Sequence, residues 1–352
     1  MTAAKPHRRL HVKADGRKLH LYGWQPHTLA PTVEIEPLPP PDPHSRWHPL
    51  RREWVTYAAN RQERTFKPPA EYCPLCPTQA GGFAGEIPFE DFEVAVFENR
   101  FPAFHPQAPE PPVLPVETAP ARGSCEVLVF TPAHRGDLAG LSQARRELLV
   151  YAWADRYVEL LERDGVQCVL PFENKGEEVG VTLHHPHGQI YAFPFVPPVQ
   201  QAAAATFREG PALARLLDRM GDAYTVAARD SMVAFVPPFA RFPYEVWIAP
   251  RRPLPGPWAF TAEEAADFAA LLGETVARYD GLFDRPFPYI LSLHAAPKGE
   301  ERTFHFHAQF YPPLRTAEKL KYLAGVEQAG GAFLMDALPE ETAARLRAVA
   351  PR

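Results

Sequence analysis

Apolar positions in this chain come in short runs, and the runs recur in the same order in its two halves. Val94-Ala-Val-Phe97 and Cys125-Glu-Val-Leu-Val-Phe130 read as strands. A stretch from about Ser142 to Asp164 follows, with Leu148, Leu149, Trp153, Val158 and Leu161 at spacings that suit a helix lying on a sheet. Cys168-Val-Leu-Pro-Phe172 is a further strand. The second half repeats this order with Met232-Val-Ala-Phe-Val236, Tyr244-Glu-Val-Trp-Ile-Ala249, a helix opened by the capping-box sequence Thr261-Ala-Glu-Glu264, and Pro288-Tyr-Ile-Leu-Ser-Leu293. Corresponding positions lie 119 to 120 residues apart: Glu126 falls on Glu245, Asn174 on His294 and His187 on His307. Strands followed by a long helix, without strict alternation, predict an α+β fold of tandem duplicated halves, each an antiparallel sheet with helices packed on one side.

The flanking segments are less regular. Residues 1–45 contain a candidate hairpin around Asp15-Gly16 and then Pro37-Leu-Pro-Pro-Pro-Asp-Pro43, which enters neither helix nor sheet interior, so they read as a proline-rich arm with weak structure. The halves are then 46–198 and 199–352, joined by a linker near 196–222 rich in Pro, Ala and Gln. Composition narrows the partners. With 37 basic and 42 acidic residues the formal charge is -5, so no bulk positive field draws nucleic acid or an anionic membrane. Lys5, Arg8 and Arg9 are not followed by an apolar stretch, and no window approaches the ~20 apolar residues of a membrane span. A cytoplasmic protein is expected. Four cysteines in 352 residues do not make a disulfide scaffold.

The chemistry concentrates in Thr182-Leu-His-His-Pro-His-Gly-Gln-Ile-Tyr191. Read as an extended strand, it puts His185, His187 and Gln189 on one face, a nitrogen nucleophile beside a donor able to steady a phosphate oxygen. Pro186 stiffens the backbone between the histidines, and Gly188 lets a phosphate approach it. A hydrogen bond from His187 Nδ1–H to a backbone carbonyl would leave Nε2 its lone pair. Thr303-Phe-His-Phe-His-Ala-Gln-Phe-Tyr311 repeats the pattern with His305, His307 and Gln309. Cys73 and Cys76 form a CxxC stiffened by Pro74 and Pro77, the spacing of a metal clip whose other ligands come from distant chain; His134 and His185 are candidates. Cys125 and Cys168 lie in apolar runs and read as core thiols.

Phe172-Glu-Asn-Lys-Gly176 and Gly180 through Gln189 together resemble the active-site stretch of the galactose-1-phosphate uridylyltransferases, a histidine-triad family with two such halves. The resemblance spans about residues 46–349. It implies that His187 takes the uridylyl group and that Gln189 contacts the transferred phosphate. It implies a structural zinc on Cys73, Cys76, His134 and His185. Arg61 and Arg64 match a basic pair at the nucleotide, and Asn99 and Arg100 match an Asn-Asp pair at the uridine, with arginine replacing aspartate. Asn174 and the turn Gly180, Val181, Thr182 match phosphate contacts, with threonine where serine is usual. Lys321, Tyr322, Gly325 and Glu327 match a hexose-contacting stretch, with Val326 in place of a tyrosine and Phe333 near the place of a glutamine. Some relatives hold a second metal, iron or zinc, on a glutamate and three histidines. His294, His305 and His307 match the histidines, and no acidic residue stands near 203, where the glutamate belongs. His184 has no counterpart as a ligand.

The reaction implied is ping-pong transfer between UDP-glucose and galactose 1-phosphate through a uridylyl-histidine, in a homodimer whose sites are completed across the interface. Two other readings fit the residues: a related nucleotidyltransferase or phosphorylase acting on ADP-glucose or a dinucleoside polyphosphate, and a zinc-stabilised nucleotide-binding protein without turnover.

Overall fold

Eleven strands join into one antiparallel sheet among the residues that the computed structural model describes, 5–39, 41–63 and 66–350. The N-terminal half supplies β1 (His7–Val12), β2 (Lys18–Gly23), β3 (His44–His48), β4 (Glu53–Tyr57), β5 (Val94–Glu98), β6 (Thr118–Pro120), β7 (Ser124–Val129), α1 (Gln143–Leu161), β8 (Cys168–Lys175) and β9 (His187–Phe193). The C-terminal half supplies α2 (Pro198–Arg208), α3 (Ala212–Met220), β10 (Thr225–Ala228), β11 (Met232–Phe235), β12 (Val246–Pro250), α4 (Ala262–Leu282), β13 (Tyr289–His294), β14 (His307–Tyr311), α5 (Gly325–Gly330) and α6 (Pro339–Ala348). The sheet order is β1-β2-β5-β7-β9-β8-β13-β14-β12-β11-β10, and β4-β3-β6 form a small second sheet. The halves meet where β8 pairs with β13, Asn174 opposite Ile290 and Phe172 opposite Ser292. From that seam outward the strands run β8, β9, β7 on one side and their repeats β13, β14, β12 on the other.

Period-two alternation assigns the two faces. Leu128, Ile190, Ala192, Ala234, Leu291 and Phe310 turn to one face, where α1, α4 and α6 cover them in a single core with Leu148, Leu149, Trp153, Phe268, Leu272 and Leu346. Val158 of α1 points outward and is exposed, so the apolar stripe of that helix is narrower than its sequence reads. The capping box at the start of α4 forms as its sequence predicts: Glu264 N–H donates to Thr261 Oγ1 at 3.2 Å and Thr261 N–H to the Glu264 carboxylate at 2.8 Å. The opposite face carries Leu19, Leu21, Phe97, Val127 and Val129, roofed by Cys73, Leu75, Ile87 and Phe89 of the loop between β4 and β5.

Two segments are more ordered than their sequences suggest. The first 45 residues do contain an irregular stretch after Trp24, but β1 and β2 form a hairpin about Gly16 that extends the main sheet through the β2–β5 pairing. Alternation drives this, because Leu19 and Leu21 bury under the β4–β5 loop while Tyr22 joins the other core. The expected linker at 196–222 is α2 and α3. Pro198 sits in the first turn, where it lacks no needed donor, and the alanine run favours a helix. These helices pack Ala204, Phe207 and Leu213 on Val233, Phe235 and Phe304, so in the second half helices cover both faces rather than one.

Under α1 the Arg156 guanidinium, with 0% side-chain exposure, grips both oxygens of the Glu126 carboxylate at 2.8 Å. Arg156→Met should therefore destabilise the fold by about 3–5 kcal/mol, since it strands a buried carboxylate, whereas the double change with Glu126→Leu should recover most of the loss. Denaturant unfolding of the two variants checks this; equal losses would mean that the pair is not what matters.

Candidate active site

β9 starts at His187, whose neighbours across the sheet are Val129 for His187 itself and Val127 for Gln189. Both side chains rise from the face that the β4–β5 loop roofs, while Ile190 and Ala192 turn into the helical core. Gly188 also faces that core. A Cβ there would lie 2.9 Å from the Phe172 carbonyl oxygen and 3.4 Å from the Phe130 ring, so glycine serves close strand packing and not, as its sequence context suggests, approach of a phosphate. His187 Nδ1–H donates to the His185 carbonyl at 2.7 Å, which leaves Nε2 as the lone-pair nitrogen. Burial lowers the pKa of the ring against that hydrogen bond, so it is neutral at pH 7.

Two cavities open on this imidazole. One, of about 430 Å³, is lined by His187, Gln189, Thr182, Asn99, Arg100 and Glu86 among apolar walls that include Leu75, Phe83, Phe97 and Phe101. The other, of about 230 Å³, is lined by His187, Asn174, Val181, Arg135, Lys175 and the half-exposed His184. Asn174 stands on the His187 face of β8, because Val169 two pleats away from Glu173 marks the helical side. Gly180 closes the turn before β9 with φ +80°, a conformation that glycine takes without strain. Asn99 Oδ1 accepts from Phe101 N–H at 2.8 Å, so the amide donors are what remain for a ligand. Arg61 Nη1 donates to the Phe101 carbonyl at 3.0 Å and buttresses the same turn. Arg64 lies outside the described residues.

Cys73, Cys76, His134 and His185 converge, each offering a donor atom within 4.8 Å of the others. His185 Nε2–H donates to the Thr131 carbonyl at 2.7 Å, which turns Nδ1 toward both sulfurs, 3.8 Å from Cys73 Sγ and 3.4 Å from Cys76 Sγ. Burial, with Cys73 adding to it, pushes the Cys76 thiol up to about 12. A dication offsets that cost by taking thiolates, so the donor set fits a metal. His185 thus belongs to two systems, since its ring joins the cluster and its carbonyl holds His187.

The second histidine cluster does not form an equivalent centre. His294 and His307 stack with ring centroids 5.1 Å apart, and His305 Nε2–H donates to the Pro250 carbonyl at 2.8 Å. Gln200 of α2 packs against this cluster, its amide nitrogen 3.3 Å from His294 Nδ1, while His294 Nε2 is 2.7 Å from Ser292 Oγ. A donor aimed at that imidazole nitrogen occupies the lone pair a metal would need. Among the described residues the only Cys, His, Asp and Glu donors gathered closely enough for a metal are those of the first cluster. The purified protein should accordingly carry one metal equivalent per chain by elemental analysis, and Gln200→Glu, which puts a carboxylate against His294, should raise that number; two equivalents in the unaltered protein would refute the assignment. The sequence held this signal in a glutamine, the uncharged shape of glutamate, three residues before the position searched for an acid.

Lys321, Tyr322, Gly325 and Glu327 line neither cavity. Lys321 is buried and donates to Glu327 Oε1 at 3.2 Å and to the Leu334 carbonyl at 2.7 Å, whereas Tyr322 is 73% exposed.

Residues 41–197 match the profile described as "Galactose-1-phosphate uridyl transferase, N-terminal domain", and residues 216–352 match that of the C-terminal domain. A galactose-1-phosphate uridylyltransferase of Thermotoga maritima is 40% identical over 316 residues, covering 86% of this chain and 97% of the relative. One from Streptomyces lividans is 33% identical over 359 residues, covering 96% of each. A solved structure described as a uridylyltransferase superposes with a TM-score of 0.79 at 33% identity, covering 87% of this chain and 97% of that one.

Proposed function

We propose, from the premise that the chain belongs to the galactose-1-phosphate uridylyltransferase family, that it exchanges a uridylyl group between UDP-glucose and galactose 1-phosphate through His187. The observation that carries this is the tautomer: Nδ1–H is tied to the His185 carbonyl, which leaves Nε2 the lone pair, on a residue that lines both cavities. Nε2 attacks the α-phosphorus of UDP-glucose; the N–P bond forms as the bond to the departing glucose 1-phosphate breaks. The ring gains positive charge as it is phosphorylated, so its Nδ1–H to carbonyl hydrogen bond strengthens in the step where it is needed. A phosphate oxygen of galactose 1-phosphate then attacks the same phosphorus, releasing UDP-galactose and the neutral imidazole. One P–O bond is exchanged for another, so positioning and charge stabilisation supply the catalysis.

The cavities suit the two ends of the substrate. A pyrimidine has apolar faces and fits between Phe83, Phe97 and Leu75, with the Asn99 amide at its edge; a hexose phosphate is polar and fits beside Asn174, Lys175 and Arg135. Gln189 would donate to a non-bridging oxygen between them. Cys73, Cys76, His134 and His185 would hold zinc, for which two thiolates and two imidazoles are a usual tetrahedral set, and which supplies charge neutralisation and a fixed anchor for the strand. The exposure of Tyr322, away from either cavity, supports a homodimer in which the 321–327 stretch serves the partner's hexose site.

The test is the intact mass of the protein after brief exposure to UDP-glucose and then to galactose 1-phosphate. A gain of one uridylyl group that the sugar phosphate discharges is expected. Labelling by ADP-glucose and not by UDP-glucose would overturn the substrate assignment, and no label from either would overturn the covalent mechanism.

A further inference from the structure

We propose that Glu86 is a specificity residue for the nucleotide, accepting a hydrogen bond from a ribose hydroxyl through Oε1 in the cavity beside His187. The proposal rests on the reading of that cavity as the nucleoside end.

Glu86 lines the larger cavity with His187, Gln189 and Asn99, and its side chain is only 7% exposed. Its two oxygens are treated differently. Oε2 accepts from Lys13 Nζ at 2.5 Å and from Arg17 Nη1 at 2.8 Å. For Oε1 the cation at hand is Arg100, whose Nη1 stays 4.0 Å away, beyond hydrogen-bond reach, while its Nη2 donates to the Glu36 carbonyl at 3.0 Å. One oxygen is clamped and the other keeps lone pairs for a ligand. Lys13 and Arg17 sit at the turn between β1 and β2, ahead of the segment that matches the family profile from residue 41, so the clamp comes from the N-terminal hairpin.

Charge decides which ligand atom suits the site. Burial alone would push the carboxyl up, but Lys13 and then Arg17 outweigh it and hold the group below its ordinary value, as a pure acceptor at neutral pH. A phosphate oxygen is excluded from such a position and a hydroxyl donor is welcome. Acidic side chains take ribose hydroxyls in dinucleotide sites for the same reason. Glu86 would therefore take hydroxyls of the nucleotide while His187 and Gln189 take its phosphate.

Titration calorimetry with uridine 5′-monophosphate and its 2′,3′-dideoxy form, on the unaltered protein, Glu86→Gln and Glu86→Asp, tests this. The unaltered protein should prefer the ribose form by about tenfold to a hundredfold, the range of a charge-assisted hydrogen bond. Glu86→Gln should lose most of that preference while binding the dideoxy form within about threefold of the unaltered protein. A merely structural ion pair would instead weaken both nucleotides together, and that result overturns the proposal, as does a ribose preference that survives in Glu86→Gln. If the glutamine variant does not fold, Glu86→Asp, which keeps the charge and retracts the oxygen, decides on the same ratio. Binding of both forms equally by the unaltered protein sinks this inference alone; binding of neither sinks the reading of the cavity as well.

Discussion

His187→Ala should carry no uridylyl label after exposure to UDP-glucose and should turn over slower by roughly a million-fold, the scale on which deleting a covalent nucleophile acts elsewhere. The reason is local. With Nδ1 committed to the His185 carbonyl, Nε2 holds the lone pair of a residue that lines both cavities, and alanine at 187 leaves water to attack in its place. Gln189→Ala should be milder, on the order of a hundredfold, because it removes one donor to the phosphate and leaves the nucleophile intact. Intact mass and initial rates measured together separate these cases. A His187→Ala protein that still labels would show that the nucleophile is another residue, and a Gln189→Ala protein as dead as His187→Ala would show that the carboxamide has a second task.

The next largest loss should come from the metal cluster. Stripping the protein with a chelator, or Cys73→Ser, should lower the midpoint of thermal unfolding by roughly 10 °C, since two thiols and two imidazoles from three distant segments lose what holds them. Uridylylation should fall with it, at least tenfold even below the unfolding range. The carbonyl that accepts from His187 belongs to His185, so any slack in the His185 ring is passed directly to the nucleophile. Calorimetry and the labelling assay, run with and without chelator, check both halves of the expectation. Unchanged labelling in metal-free, folded protein would mean that the sheet alone places His187.

The duplicated order of strands, the long helix of each half and the capping box were all legible because each rests on neighbours a few residues apart. Alternation alone put His187 and Gln189 on one face, and the structure brings the CxxC pair Cys73 and Cys76 together with the candidate ligands His134 and His185. What could not be read were contacts between segments with no shared pattern. Glu86 meets Lys13 and Arg17 across some seventy positions, and a proline-rich arm hid the short alternation of Leu19 and Leu21. The linker reading failed on a different ground. Prolines at 197 and 198 break a strand and start a helix with equal ease, and the alanine run together with the packing of Phe207 against Phe304 favours the helix.

The symmetry of the strand order about β8 and β13 has a historical meaning. A sheet that reads alike from its middle outward is what two identical copies make when they pair edge to edge about a two-fold axis. Joining such copies in one chain turns an association that depended on abundance into an intramolecular one at high effective concentration. From then on the two copies were free to diverge. Ala308 now stands where Gly188 does, and Trp247 stacks on the ring of His307 at 4.9 Å, where the first copy keeps its nucleophile open. In the second His-x-His strand the imidazoles pack on neighbouring rings, and the strand serves as architecture.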